Sequence, residues 1–183
     1  MPRVEFDQLP DDARLWVFAS DRPLSSDEAR TLLLEVDSFL AGWKAHGAPL
    51  RSAREWRDDR FLVIGVDPTA EQASGCSIDG LFRGLRSLET ALGTTLVGGG
   101  RVFYRDTLGA PQVASRGAVA ELAAAGVISR DTRVFDTALT DAGSYRDRFE
   151  TPARDTWVAT LLDRQASQPS SRSATKSSSP RNG

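Results

Sequence analysis

Apolar residues in the first half of the chain follow two patterns, short continuous runs and longer stretches with a spacing of three or four positions. The continuous run at residues 15–19 predicts a buried strand, and the capping-box pattern of Ser25 and Glu28 predicts that a helix begins directly after Ser25. One face of this helix is apolar, and we expect Gly47 to end it just after His46. The apolar face of the helix therefore belongs to the core.

The next stretch of the chain adds a hairpin, a second helix and a further strand. Residues 50–57 carry charged side chains at alternate positions, as an edge strand does, and Asp58-Asp59 is typical of a turn. Residues 61–66 form a continuous apolar run, which predicts a buried strand. A helical spacing of apolar residues follows over residues 78–92, and the run at residues 102–104 predicts the fourth strand.

The order strand, helix, strand, strand, helix, strand predicts an α+β fold of the ferredoxin-like type. Its core is a split β-α-β-β-α-β unit with both helices on one face of an antiparallel sheet. The two inner strands, residues 15–19 and 61–66, are apolar on both sides. We therefore expect the sheet face opposite the helices to be covered too, either by the chain's own C-terminal part or by a second copy in a homodimer.

The C-terminal part of the chain predicts a helical and strand extension followed by a disordered tail. A helix is expected around residues 119–122, a strand at residues 133–135, and a final helix begun by Thr151-Pro152. The tail is rich in Ser and has no aromatic residue, so it cannot bury enough apolar area to offset its chain entropy. The predicted boundaries are an N-terminal extension at 1–14, the ferredoxin-like core at 15–110, an extension packed on the core at 111–164, and the disordered tail at 165–183.

Charge and cysteine content narrow the function classes. The net charge is −2, and the tail holds three basic residues and no acid, so residues 1–164 carry a net charge of −5. A mildly acidic folded part argues against nucleic acid as a partner, which requires clustered Lys and Arg. A single cysteine indicates a reducing compartment and no thiol cluster for a metal, and no apolar run is long enough to span a bilayer. We expect a cytoplasmic protein with no membrane partner, no metal site and no cofactor.

The candidate chemistry centres on the only cysteine, Cys76, which lies at the predicted N-terminus of the second helix. Unpaired backbone N–H groups and the positive end of the helix dipole favour an anion at this position. In the predicted topology the end of the first helix and the end of the third strand meet at the same rim, so Cys76 and the only histidine, His46, should lie together there. We also expect this rim to hold a set of small and polar candidate ligand-binding residues: Gly47, Asp67, Ser74, Gly75, Ser77, Asp79 and Arg105.

Each of these residues also has a plain structural interpretation. The Cys76 thiol is either a nucleophile or redox-sensitive group, activated by the helix N-terminus and by His46, or a small filler of the core. His46 is either part of the site or a helix C-terminal residue whose charge suits the dipole. Asp67 and Asp79 are either a carboxylate pair or residues that favour turns and first helical turns.

Four strings of the sequence resemble those of a family of small uncharacterised bacterial proteins. The strings are Arg-Pro-Leu at residues 22–24, Trp-Lys-Ala-His-Gly at 43–47, Phe-Leu-Val-Ile-Gly-Val-Asp at 61–67 and Ala-Ser-Gly-Cys-Ser-Ile-Asp at 73–79. The resemblance covers roughly residues 15–157, and the members of this family often carry the label "ABC transporter ATPase". It implies a shared site. It does not imply nucleotide hydrolysis, because the chain lacks a Gly-x-x-x-x-Gly-Lys-Ser/Thr loop and its triple glycine at residues 98–100 precedes a strand.

The sequence thus predicts a binding module for a small anionic ligand or a partner segment, with the site at the helix N-terminus of residues 74–79. Two other functions stay open. One is a Cys76-dependent enzyme or redox sensor with His46 as its base. The other is an assembly protein that uses an open sheet face.

Overall fold

The computed structural model describes residues 4–69 and 71–166, which form a mixed α+β structure with antiparallel sheets. The α+β prediction is confirmed. All but the first two residues of the predicted tail lie outside the described residues. The strands are β1 (Arg14–Ala19), β2 (Lys44–Ala45), β3 (Ala48–Pro49), β4 (Ser52–Arg57), β5 (Phe61–Val66), β6 (Arg101–Arg105), β7 (Pro111–Ser115), β8 (Arg133–Phe135) and β9 (Glu150–Pro152). The helices are α1 (Ser26–Gly42), α2 (Gly75–Leu92), α3 (Val119–Ala124), α4 (Ala142–Arg148) and α5 (Val158–Ala166).

The first sheet has the strand order β1-β5-β4, with both neighbouring pairs antiparallel. The hairpin that the sequence predicts is the pair β4 and β5. Its turn begins with Asp58 and Asp59, whose φ angles of 55° and 50° lie in the left-handed region that short polar side chains tolerate. The fully buried β5 is therefore the central strand of this sheet.

Helices α1 and α2 cover one face of this sheet. Residues of β1 and β5 alternate between the two faces, and Phe18, Leu62 and Ile64 pack in the core beneath the two helices. The predicted capping box is present, since Ser25 Oγ accepts from the Glu28 N–H while the Glu28 side chain accepts from the Ser25 N–H. These local signals were sufficient to predict where α1 begins.

The chain's own C-terminal part covers the opposite face of the sheet. A second sheet with the order β7-β6-β8-β9 packs there together with α4. The ring of Phe61 on β5 lies 5.4 Å from that of Phe103, 4.5 Å from that of Phe135 and 5.2 Å from that of Phe149. These aromatic contacts bury the second apolar face that the sequence predicts for the inner strands.

The predicted fourth strand forms as β6 but does not join the first sheet. It pairs with β7 and β8, so the described residues do not form a four-stranded ferredoxin-like sheet. Two contacts explain the difference. Phe103 packs edge to face against Phe61 in the core between the sheets. The edge of β1 that a fourth strand would occupy is partly used by the loop before α4, where the Leu15 N–H donates to the Thr140 carbonyl at 2.8 Å.

Two predicted helix boundaries are wrong. Helix α1 ends at Gly42, and the chain then forms the small hairpin of β2 and β3, because the buried Trp43 caps the helix and its Nε1 donates to the Ser77 carbonyl at 2.9 Å. Thr151-Pro152 does not begin the last helix. Thr151 instead pairs with Val134 in the second sheet, and α5 begins at Val158.

Candidate functional site

The first turn of α2 is a helix N-terminus whose serines bond to each other. Ser74 is the N-cap, and its Oγ accepts from the Ser77 N–H at 3.3 Å, while Ser77 Oγ donates to the Ser74 carbonyl at 2.8 Å. The side chain of Cys76 is exposed, as is Gly75. Cys76 is therefore not a filler of the core, and the two serines have a structural role at the start of the helix.

The predicted pairing of Cys76 with His46 is not formed. His46 and Gly47 form the turn between β2 and β3, with φ angles of 51° and 85°, and both are exposed. Trp43 places this hairpin beside the start of α2, where the sequence predicts the end of the first helix. Within the part of the chain that the structure describes, however, no hydrogen bond joins Cys76 to His46, which a general base would require.

The surroundings of Cys76 form an open depression on the outer side of α2. Its lining includes Asp79, Phe82, Arg83 and Arg86 but not His46. Asp79 is exposed on the helix, whereas Asp67 is buried and accepts a hydrogen bond from Arg51, so these two do not form the carboxylate pair that the sequence left open.

Asp67 is a buried structural residue, with a side chain only 1% exposed. Burial alone would raise the pKa of this carboxyl group, but hydrogen bonds from Thr69 and the nearby charge of Arg51 outweigh it, so the pKa is lowered below its ordinary value. Arg51 Nη1 donates to it at 2.7 Å, and the Thr69 N–H donates at 2.9 Å. Asp67 therefore fixes the turn after β5.

Arg105 lies at the opposite end of the first sheet, so its predicted position at the rim is wrong. Its Nε donates to Glu150 at 2.7 Å, and its Nη2 contacts Asp58 at 3.2 Å. Hydrogen bonds to Glu150 raise the pKa of Arg105 above its ordinary value. Asp58 precedes β5 and Asp67 follows it, so the length of the strand, about 20 Å, separates this end from the rim.

A partly enclosed depression with a mainly apolar lining lies at the outer edge of β1, and the sequence did not predict it. We call it the β1 groove, and its cavity volume is about 340 Å³. Its lining includes two charged side chains, Arg101 and Arg116, and no acid. The other lining residues are Leu15, Trp16, Val17, Phe18, Ala19, Phe82, Leu96, Val97, Gly98, Gly99, Gly100, Phe103, Thr137, Ala138, Leu139, Thr140 and Trp157.

Every second residue of β1 directs its backbone N–H and C=O groups toward this groove. The Leu15 N–H donates outward to Thr140, and the Ala19 carbonyl accepts outward from Arg101 Nη2 at 3.0 Å. Along a strand, the backbone N–H and C=O groups of successive residues point alternately to the two sides. The N–H and C=O of Val17, which lies between Leu15 and Ala19, therefore also point away from β5. Four groups face the groove: the Leu15 carbonyl, both backbone groups of Val17, and the Ala19 N–H. None of them has a hydrogen-bond partner in residues 4–69 and 71–166.

A second arginine lies near the Ala19 end of the groove. Arg60 is only 3% exposed, its Nη1 donates to the Asp21 carbonyl at 3.4 Å, and its Nε has no partner among the described residues. Burial lowers the pKa of both Arg60 and Arg101, and the charge of Asp21 opposes this effect. A hydrogen bond from Thr94 lowers the pKa of Asp21 itself.

The charged side chains in and near the groove include more arginines than carboxylates. Glu89 is a second acid near Arg101, but its Oε1 already accepts from the Leu96 and Val97 N–H groups. Arg116 adds a third cation, with its guanidinium 4.4 Å from the centre of the Trp157 ring. Arg101 and Arg116 line the groove, and the charged groups near them include one further arginine and two carboxylates that already accept hydrogen bonds.

Comparison with known proteins returned no match: no family model, no curated protein and no solved structure is significantly similar to this chain. The described helices include none that is long and apolar enough to cross a membrane. Nowhere among the described residues do three or more His, Cys, Asp or Glu side chains cluster closely enough to hold a metal ion.

Proposed function

We propose that this protein is a binding module that holds a short extended polypeptide segment against β1 by strand addition. The observation that carries the proposal is the set of four unpaired backbone groups of Leu15, Val17 and Ala19, which face a preformed groove. The ligand class is one that the sequence predicts, a partner segment. The site is different, since it is a strand edge and not the helix N-terminus at residues 74–79.

Strand addition satisfies groups that the fold leaves unpaired. Each backbone hydrogen bond contributes roughly 0.5–1.5 kcal/mol, and an extended peptide supplies such bonds whatever its side chains are. The walls add apolar contact, because Trp16, Phe82 and Trp157 line the groove. The segment would take the place beside β1 that the fourth strand has in a ferredoxin-like fold.

The segment must be short. Thr140 already bonds to β1 at Leu15, and Arg101 bonds to it at Ala19, so the free part of the edge is bounded at both ends. The volume of about 340 Å³ is at the lower end of the range for ligand pockets. A few residues at a chain end fit these limits better than a long strand that passes through.

A proline substitution at Val17 tests the proposal. Val17→Pro removes one free N–H and blocks close approach of a strand, while the N–H that it removes is not used in the fold. A synthetic library of random heptapeptides is incubated with the immobilised protein, bound peptides are identified by mass spectrometry, and their affinities are measured through tryptophan fluorescence. We expect Val17→Pro to weaken the best peptide at least tenfold.

Val17→Thr is the matched control, because threonine keeps the N–H and the β-branched shape. It should bind within about twofold of the unsubstituted protein, since the backbone hydrogen bonds are unchanged. Ala19→Pro removes the second free N–H and provides an independent variant should Val17→Pro unfold. If the enriched peptides bind equally to the folded proline variants, or if no peptide is enriched, strand addition at β1 is wrong.

A further inference from the structure

Building on the proposed function, we infer that the bound segment is the C-terminal three residues of a partner polypeptide, parallel to β1, with its terminal carboxylate at the Ala19 end beside Arg101. Two independent observations carry this inference. One is which backbone groups of β1 are free, and the other is the position of positive charge along the groove.

A parallel segment uses all four free groups and no others. In a parallel pair, the N–H of a residue donates to the residue before its neighbour on the other strand, and its carbonyl accepts from the N–H of the residue after that neighbour. Val17 then donates to the carbonyl of the third-from-last residue of the segment and accepts from the N–H of the last residue. The Leu15 carbonyl accepts from the N–H of the third-from-last residue, and the Ala19 N–H donates to the terminal carboxylate.

An antiparallel segment conflicts with the groups already bonded. It would place a residue directly opposite Leu15 and another directly opposite Ala19. The carbonyl of the first would point at the Leu15 N–H, which already donates to the Thr140 carbonyl, and two carbonyl oxygens would meet. The N–H of the second would compete with Arg101 for the Ala19 carbonyl. The free groups therefore favour the parallel direction.

Charge places the carboxylate at the same end. Because β1 runs from Arg14 to Ala19, a parallel segment ends beside Ala19, where Arg101 lies. Arg60 is buried close to this point with an unpartnered Nε, and its positive charge acts on the carboxylate through space. The Leu15 end is lined instead by the uncharged Leu139 and Thr140. A terminal carboxylate at the Ala19 end would accept charge-assisted hydrogen bonds, which are the stronger kind.

Matched peptides that differ only at the C-terminus test the inference. The best heptapeptide from the library selection is synthesised as the free acid, as the C-terminal amide, and with three glycines added after the last residue. We expect the amide and the extended form to bind at least tenfold more weakly than the free acid. Arg101→Gln should weaken the free acid about tenfold and leave the amide within about twofold, whereas Arg130→Gln, at a distant exposed ion pair, should change neither.

The outcomes separate this inference from the function on which it rests. Equal binding of acid and amide, with Val17→Pro still weakening both, would contradict the carboxylate and leave strand addition standing. Arg116→Gln, at an exposed residue, repeats the charge test should Arg101→Gln unfold.

Other occupants of the β1 groove would also overturn the inference. If sedimentation shows a dimer that Val17→Pro dissociates, the occupant is a second copy of this chain. If deletion of residues 167–183 tightens peptide binding more than tenfold, the occupant is the chain's own C-terminal segment.

Discussion

Gly65 shows how tightly the core between the two sheets is packed. A Cβ placed on this residue would lie 2.4 Å from Cδ1 of Leu9 and 2.7 Å from Cδ2 of Leu15, and both leucines are buried. Gly65→Ala therefore forces two core side chains to move. We expect the free energy of unfolding, measured by urea denaturation, to fall by about 2 kcal/mol.

Gly84→Ala is the matched control for this substitution. Gly84 lies on the exposed side of α2, and a Cβ there would meet nothing within 4 Å. Alanine has the higher helix propensity, so we expect the free energy of unfolding to rise by about 0.5–1 kcal/mol. A Gly65→Ala protein as stable as the unsubstituted one would show that the leucines move without cost.

Single residues were predictable from sequence where their role depends on near neighbours. Ser25 is a helix cap because a short hydroxyl side chain reaches an N–H three positions later, and the sequence predicts this cap correctly. His46 was misplaced, because Gly47 after it suits a tight hairpin turn as well as the end of a helix. The hydrogen bond from Trp43 to Ser77 on α2 favours the hairpin turn over a longer helix, and these two residues lie 34 positions apart in sequence.

Helix α1 begins with an ion pair that makes its N-terminus sensitive to pH. Hydrogen bonds from Arg22 and from the Ser25 N–H lower the pKa of Glu28 to about 2. A carboxyl group whose pKa is lower in the folded state stabilises the fold above its unfolded pKa, about 4.5, and this contribution is lost as the pH falls toward 2. We expect the melting temperatures of Glu28→Gln and the unsubstituted protein to differ near pH 6 and to converge near pH 2.

Arg22→Gln removes the other side of the ion pair, because Arg22 Nη2 lies 2.6 Å from Glu28 Oε1, and its melting temperature is measured in the same way. Arg22 also donates to the Leu92 carbonyl, so the double variant should lose more stability than Glu28→Gln alone but less than the sum of the two single losses, as expected for residues that share an interaction. A difference between Glu28→Gln and the unsubstituted protein that is the same at pH 2 and pH 6 would rule out the ion pair as its cause.

Whole strands were predictable in position but not always in partnership. The run at residues 102–104 predicted a strand, and β6 is one. The apolar residues of β6 indicate only that both faces of the strand are covered. A strand at the edge of the first sheet and a strand in a second, covering sheet both meet this condition. The contact of Phe103 with Phe61 decides between them, and no local pattern encodes it.

The two sheets are tied together at one end by ion pairs of low exposure. Arg105 on β6 bonds to Glu150 on β9 and to Asp58 in the hairpin turn of the first sheet, with side-chain exposures of 22%, 14% and 21%. Arg105→Gln would leave both carboxylates with fewer partners. We expect the free energy of unfolding to fall by about 2 kcal/mol, less than for a fully buried pair because water reaches the groups.

Arg130→Gln is the control, since the Arg130–Asp163 pair has exposures of 57% and 58%. It should change the free energy of unfolding by less than about 0.5 kcal/mol in the same denaturation experiment. Arg105→Lys should recover only part of the loss, because lysine does not reproduce the forked contact with Glu150. Equal effects at the two arginines would show that the sheets are not coupled through this network.

The β1 groove could not be predicted from the sequence, because it depends on backbone N–H and C=O groups of β1 that no other strand uses. Val17 looks like any apolar strand residue, and its free N–H and carbonyl become visible only once β6 is known to pair elsewhere. The glycines at residues 98–100 show in the sequence only that a strand follows them, and they line the groove. A site formed by unused backbone groups leaves no signature in the order of side chains.

The occupied ends of the β1 edge also bear on solubility. An unprotected strand edge invites the edges of other copies, and such pairing can extend without limit into aggregates. Here Thr140 and the Arg101 side chain act as stops on either side of Val17, so the free stretch is too short for a neighbouring sheet to lie along it. This edge of β1 can therefore stay open without offering the long template on which fibrous self-assembly depends.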